Sequence, residues 1–173
     1  IIERKGTKVA FLAYASVIRP GWEATARKPG CAPLRAQTFY QQSDYQPGTP
    51  PTVLTFTNRE DLEAMKEDVR KARAQADVVA VSVHWGVHFV PSVIASYQRE
   101  VGHAAIDAGV DLILGHHAHI LKGIEVYRGK TIFYSLCNFG FDSPITRTSS
   151  LKGFYRVEPD PEYPTYFFPA DSR

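Results

Sequence analysis

Apolar and polar residues alternate over positions 8–14 (KVAFLAY), with Val9, Phe11 and Ala13 in step, and this period of two predicts a β-strand. The period then changes. Leu62, Met65, Val69, Ala72 and Ala76 recur at steps of three and four, drawing the single apolar stripe of a helix that runs to about Ala76. Thr57 or Asn58 can cap it, and Glu60 and Asp61 sit in its first turn, where negative charge suits the helix dipole. Positions 77–84 (DVVAVSVH) are nearly all β-branched and apolar, the pattern of a strand covered on both faces. Helical spacing returns over 96–108 (SYQREVGHAAIDA), with Tyr97, Val101, Ala104, Ala105 and Ala108 inward and Gly109 ending the element. Positions 111–114 (DLIL) read as a second short buried strand. Strand, helix and strand in so short a stretch form a βαβ unit with a right-handed crossover and parallel strands.

Beyond this unit Ile124 and Val126 alternate with Glu125 and Tyr127, Arg128-Gly129-Lys130 turns the chain, and 131–136 returns, which is a β-hairpin. A further strand is expected at 153–157, and 158–173, with its four prolines, is expected to be an irregular tail. Upstream, 19–51 carries six prolines and Gly21, Gly30 and Gly48, so it is expected to be a long irregular loop. Its rings, Trp22, Phe39, Tyr40 and Tyr45, suit either of two roles: pinning the loop to the surface, or forming a lid over a substrate.

Composition narrows the function. The 173 residues are 44% apolar and 22% charged, which is globular and leaves ample material for a core. The net charge of +2 comes from interspersed charges without a basic stripe, so nucleic acid is not an expected partner. The longest apolar run, near 78–83, is too short to span a bilayer, and no signal-peptide pattern opens the chain. The start at Ile1, without Met, points to a cut, processed or fragment N-terminus. Cys31 and Cys137 match no CxxC pattern; one disulfide and two free thiols both remain open.

The chemistry gathers in histidine. His84 and His88 follow the first strand of the βαβ unit, and His116, His117 and His119 follow the second. Parallel strands bring both groups to one carboxyl edge, where open α/β sheets bind ligands. Adjacent strands lie about 4.8 Å apart, so imidazoles from both loops can reach one ion at about 2.0–2.1 Å. If 116–119 is extended, His117 and His119 share a side and His116 points away, as a packing or hydrogen-bonding residue. Neutral imidazoles suit zinc, manganese or iron better than magnesium or calcium. His103, inside a helix, reads as structural. Gly86 permits a tight turn, and Trp85 is expected to pack over the site. Asn138 can bond a ligand or a backbone group, and Asp142 can cap a turn or serve the site. No G-x-S-x-G, Walker loop or G-x-G-x-x-G occurs, so serine-hydrolase and nucleotide-binding chemistry lack support.

Three blocks, 77–86 (DVVAVSVHWG), 107–121 (DAGVDLILGHHAHIL) and 124–142 (IEVYRGKTIFYSLCNFGFD), resemble the bacterial capsule-synthesis CapA/PgsA family linked to poly-γ-glutamate. The match runs from about Ile2 to Asp142. That family is similar to the calcineurin-like metallophosphoesterases, which implies an α/β sandwich and a two-metal site of His, Asp and Asn ligands. By this resemblance His84 matches the isolated His of one ligand block, and His117 and His119 match a closing H-x-H pair, with His116 an alternative ligand. The chain departs from the pattern at His88, where Glu is common, and at Cys137, where Gly is common. The early Gly-Asp and Asn-His blocks are missing, and no Asp precedes Asp44.

The resemblance therefore implies an α/β, metallophosphoesterase-like C-terminal part, the βαβ unit plus hairpin, spanning 1–157. A missing N-terminal half or a second chain would complete it. Implied with it are one divalent transition ion (Mn, Zn or Fe), two in the complete protein, and an extracytoplasmic or cell-surface setting. The expected function is metal-dependent hydrolase-fold action in synthesis, export or trimming of an anionic polymer such as poly-γ-glutamate. His116 or His88 would relay a proton. The alternative is a non-catalytic polymer-binding or assembly module.

Overall fold

In the computed structural model of the chain, residues 1–138 are described. The expected strand at 153–157, the tail at 158–173 and Asp142 lie outside them. The chain divides into compact units Ile1–Cys137 and Asn138–Arg173, and every strand and helix named below belongs to the first.

The strands are β1 (Ile2–Arg4), β2 (Thr7–Ala15), β3 (Ala36–Gln41), β4 (Thr52–Thr57), β5 (Val78–His84), β6 (Leu112–His116), β7 (Ile124–Tyr127) and β8 (Lys130–Phe133). Helix α1 (Arg59–Arg73) follows β4 and α2 (Ser96–Ala108) follows β5. Six strands form one sheet in the order β1-β2-β5-β6-β8-β7. The inner pairs β2–β5, β5–β6 and β6–β8 are parallel, and the edge pairs β1–β2 and β7–β8 are antiparallel. The βαβ unit and the hairpin are thus present. Arg128 and Gly129 turn the hairpin in two residues, both at positive φ, which matches the twist of the flanking strands.

Both helices pack on one face of the sheet. The core there is built from Ala10 and Tyr14 of β2, Val79, Val81 and Val83 of β5, Ile113 of β6 and Ile132 of β8. Against these strands pack Leu62, Met65 and Val69 of α1 and Tyr97, Val101 and Ala105 of α2. Gly102 lets α2 approach Ile132 and Ile113 closely: a Cβ there would stand 3.1 Å from the Ile132 Cδ1.

Asn58, not Thr57, caps α1, its Oδ1 accepting from the Asp61 N–H at 3.0 Å. The helix proper ends at Arg73, a turn earlier than its apolar stripe indicates, although Ala76 is still buried. Asp61 does more than face the dipole. It is buried, and its carboxylate accepts from the Arg35 backbone N–H at 2.8 Å and from the guanidinium at 2.7 Å on both oxygens. This clamp joins α1 to the incoming chain.

The stretch 19–51 is not irregular throughout, which corrects the sequence expectation. No proline interrupts 36–41, and its Thr38, Phe39 and Tyr40 favour strands. It pairs antiparallel with β4, from Ala36↔Thr57 to Gln41↔Thr52. The prolines fall on either side. The four rings do not pin the segment down: Trp22, Phe39 and Tyr40 are exposed, and Tyr45 is 97% exposed.

Candidate histidine site at the sheet edge

Strand β5 ends at His84 and β6 at His116, and the two residues are register partners in the parallel pair. Their side chains stand on the face opposite the helices, because Val83 and Gly115 take the helix side. Two features hold the edge in place. Gly86 turns the chain at φ 88°, and a Cβ there would meet the Gln98 side chain at 2.6 Å. Tyr97, buried on α2, accepts from the Gly86 N–H at 2.7 Å and bonds the Ser16 hydroxyl at 2.8 Å, tying the ends of β2 and β5 together. Burial raises the Tyr97 phenol, so it stays protonated.

Five imidazoles gather here. His84 Nδ1 lies 3.0 Å from His116 Nδ1, and His84 Nε2 lies 3.0 Å from His117 Nδ1. His116 Nε2 reaches the Ser82 hydroxyl at 3.1 Å. His88 stacks on His117 with ring centroids 4.9 Å apart and lies 5.0 Å from His119. The parity argument for the second cluster fails for a visible reason. The strand stops at His116, and His117 (φ 100°) and His119 (φ 54°) take positive φ, so i and i+2 no longer share a side. His116 joins the cluster, and the His117 and His119 rings stand 6.4 Å apart.

Burial is the first cause that lowers the basicity of His84, His88, His116 and His117, and mutual repulsion adds to it. His117 is pushed down to about 4. These four rings are therefore neutral at pH 7. A neutral imidazole donates through one nitrogen and accepts through the other. The line Ser82–His116–His84–His117 then has two consistent polarities. In one, the Ser82 hydroxyl donates to His116 and the line runs outward, leaving His117 Nε2 protonated. In the other, His117 donates inward and its Nε2 carries a lone pair. Reversing the line switches the tautomer of all three rings without moving a heavy atom, so that a proton taken up at the Ser82 end is matched by one released from His117 Nε2, or the reverse.

The donor chemistry fits a transition ion, since neutral imidazole nitrogen is what zinc, iron and manganese accept. The arrangement is incomplete: among the described residues no group of three His, Cys, Asp or Glu converges to hold an ion. Both nitrogens of His84 face other imidazoles.

The remaining candidates fall elsewhere. Trp85 does not pack over the site. Alternation carries it to the helix face, where it is fully buried, stacks on Tyr134 at 5.9 Å and donates from Nε1 to the Tyr134 carbonyl at 3.0 Å. Asn138 is half-buried and begins the second unit. Cys137 is a free thiol whose Sγ lies 3.2 Å from the His119 carbonyl, and Cys31 is free and exposed. His103 bonds Glu125 at 2.7 Å and stacks on Tyr127, away from the edge. Sequence reasoning missed Ser82, Ser16 and Tyr97. Ser82, a polar residue among valines two positions before His84, was the available signal.

A family model described as bacterial capsule synthesis protein PGA_cap matches residues 1–143. The PGA biosynthesis protein CapA of Bacillus subtilis is 34% identical over 143 residues, 83% of this chain and 30% of that protein. The capsule biosynthesis protein CapA of Bacillus anthracis is 32% identical over 143 residues, 83% of this chain and 29% of that protein. A probable polyglutamine synthesis accessory protein of Mycobacterium tuberculosis is 34% identical over 80 residues, 44% of this chain and 20% of that protein. The chain thus spans less than a third of the length of these relatives.

Proposed function

The chain belongs to the bacterial capsule synthesis family PGA_cap, and from that premise we propose that it is the part of a CapA-like protein that supplies the histidine edge of a metal-dependent hydrolase site. The complete site would act on a cell-surface polymer such as poly-γ-glutamate, or on its precursor, during synthesis, export or trimming. The fold would be of the metallophosphoesterase type and its setting extracytoplasmic. The observation that supports the reading is that His84 lies within 3.0 Å of both His116 and His117, all three neutral at pH 7, at the carboxyl edge of a parallel sheet.

In this reading His84, His117 and His119 are the residues that would hold a zinc, manganese or iron ion once the rest of the longer protein adds carboxylates. The chemistry an ion would supply there is Lewis acidity, toward a phosphoryl or acyl oxygen and toward a water. The residues of this chain do the remaining work. His116 holds the inner end of the imidazole line against Ser82 and carries a proton away from the edge. His88, stacked on His117 and Phe89, shields one side of the ring and serves as the alternative proton carrier.

Turnover tests the proposal. The longer protein, loaded with manganese or zinc, should hydrolyse a simple phosphodiester or shorten poly-γ-glutamate, and His117→Ala should abolish this while the protein stays folded. Tight metal and polymer binding with no turnover in any assay would instead identify a binding or assembly module.

A further inference from the structure

Two loops carry histidines past the ends of their strands. Residues 85–95, between β5 and α2, carry His88, and residues 117–123, between β6 and β7, carry His117 and His119. The first loop bends through positive φ at Phe89 (54°) and Ser92 (57°), conformations that residues with a side chain rarely keep unless their surroundings hold them. The second loop does the holding. The Phe89 N–H donates to the Ala118 carbonyl at 3.0 Å, and the Lys122 ammonium donates to the carbonyl of Val90 and, at 2.9 Å, to that of Val93. Ile94 lies against Gly123, its Cδ1 3.5 Å from where a Cβ would stand. Lys122 is itself fixed from behind. Its backbone N–H donates to the Ser135 carbonyl at 3.2 Å, and the neighbouring Gly123 carbonyl accepts from the Tyr134 N–H at 3.2 Å, just past β8. Burial lowers the basicity of the ammonium, as for a head group drawn out of water onto the loop.

We propose that Lys122 is a positioning residue of the histidine site: its ammonium clasps 85–95 onto 117–123 and so sets where His88 and Phe89 stand against His117 and His119. An ammonium offers three donors on a flexible stem, and its charge strengthens each bond to a carbonyl. The two clasped carbonyls bracket Ser92, so the clasp holds the second bend, while the bond from Phe89 to Ala118 holds the first. The consequence falls on the rings. His88 stacks on His117 at 4.9 Å with its Nε2 buried, and the Phe89 ring lies 5.7 Å from that of His119. Without the clasp the first loop relaxes toward ordinary φ and carries His88 off the cluster. His84 and His116, held by the strand ladder, keep their places. This deepens the proposed function and rests on it only in treating the cluster as a metal edge.

Diethyl pyrocarbonate, which carbethoxylates accessible neutral imidazole, tests this on the metal-free 173-residue chain, with modification read residue by residue by mass spectrometry. Lys122→Met keeps an unbranched stem and removes the charge. It should raise the rate at His88 several-fold and leave the rate at His103, on α2 away from the edge, unchanged. Lys122→Arg, which can still donate to both carbonyls, should restore the rate of the unsubstituted chain. In that unsubstituted chain the Phe89 amide should exchange with solvent as slowly as the Trp85 amide, a result that needs no variant to fold. An unchanged rate at His88, a rise shared equally by His103, or fast exchange at Phe89 would each overturn the proposal. Zinc affinity should fall several-fold in Lys122→Met and recover in Lys122→Arg. Affinity unmoved while His88 is freed would also overturn it, because the loop would then not bear on the site. An unsubstituted chain that takes up no zinc contradicts the proposed function instead, and the reactivity comparison still decides this inference.

Discussion

His84 and His116 face each other across two parallel strands, register partners whose Nδ1 atoms stand 3.0 Å apart. They are the last residues of their strands, so the regular hydrogen-bond ladder fixes both Cα positions and leaves the rings at an open rim. A rigid base beneath the rings and loops above them is the arrangement in which parallel sheets position ligand-binding groups. Past His116 the chain leaves the ladder and bends twice, at His117 and at His119, to return both rings to the cluster.

Gly115 should not tolerate a side chain. A Cβ at this position would overlap the Tyr134 carbonyl and the Trp85 indole nitrogen, both fixed in the core beneath the site. Gly115→Ala should destabilise by about 1–3 kcal/mol. A urea denaturation midpoint unchanged from wild type would show that β6 and Trp85 pack more loosely than this contact requires.

Asp61 should make stability fall at low pH. Its bonds with Arg35 hold its carboxyl below the usual range. The folded value lies below the unfolded one, so the contribution is present above about pH 4 and is lost as pH falls through the folded value. Asp61→Asn should cost about 2 kcal/mol at pH 7, in line with hydrogen bonds to a charged group. The gap between variant and wild type should narrow on acidification. Thermal unfolding from pH 7 to pH 3 measures it.

Glu125 should lock the hairpin to α2. It accepts from the Tyr134 hydroxyl at 2.5 Å and meets His103 at 2.7 Å, and Tyr134 is buried. Glu125→Ala leaves that buried hydroxyl without its acceptor and should cost about 1–3 kcal/mol. His103→Ala should cost less, and neither should alter metal affinity. Chemical denaturation and metal titration of the two variants separate these effects.

Among the described residues, chymotrypsin should cut first after Tyr45. The residue is almost fully exposed at the tip between β3 and β4, while Phe39 and Phe56 are held in paired strands and lie 5.5 Å apart. First cuts within α1 would contradict this.

Much of the fold was written locally in the sequence. The alternation in KVAFLAY, the apolar run DVVAVSVH and the helical spacing of SYQREVGHAAIDA each set an element by its own period, and the βαβ rule then gathered the histidines. Features that depend on distant partners were not legible. Strand β3 exists because β4 lies eleven residues further on, past a proline-rich turn, and because Asp61 clamps Arg35 at its start. The role of His116 depended on where β6 stops, which the positive φ at His117 decides. Trp85 followed the strand's alternation into the core, an outcome its place beside His84 concealed.

The most direct test of the account is the metal content of the purified 173-residue chain at pH 7.5 and pH 5, after incubation with zinc or manganese and removal of the excess. Neutral imidazoles can hold one ion, but a close pair of dications needs negative charge between them, and no carboxylate joins the histidine cluster among the described residues. The chain should therefore retain at most one ion at pH 7.5 and release it by pH 5, as protons compete for the ring nitrogens. His84→Ala or His117→Ala should prevent loading, and His103→Ala should not. Two tightly held ions, or one that survives loss of both His84 and His117, would contradict the account.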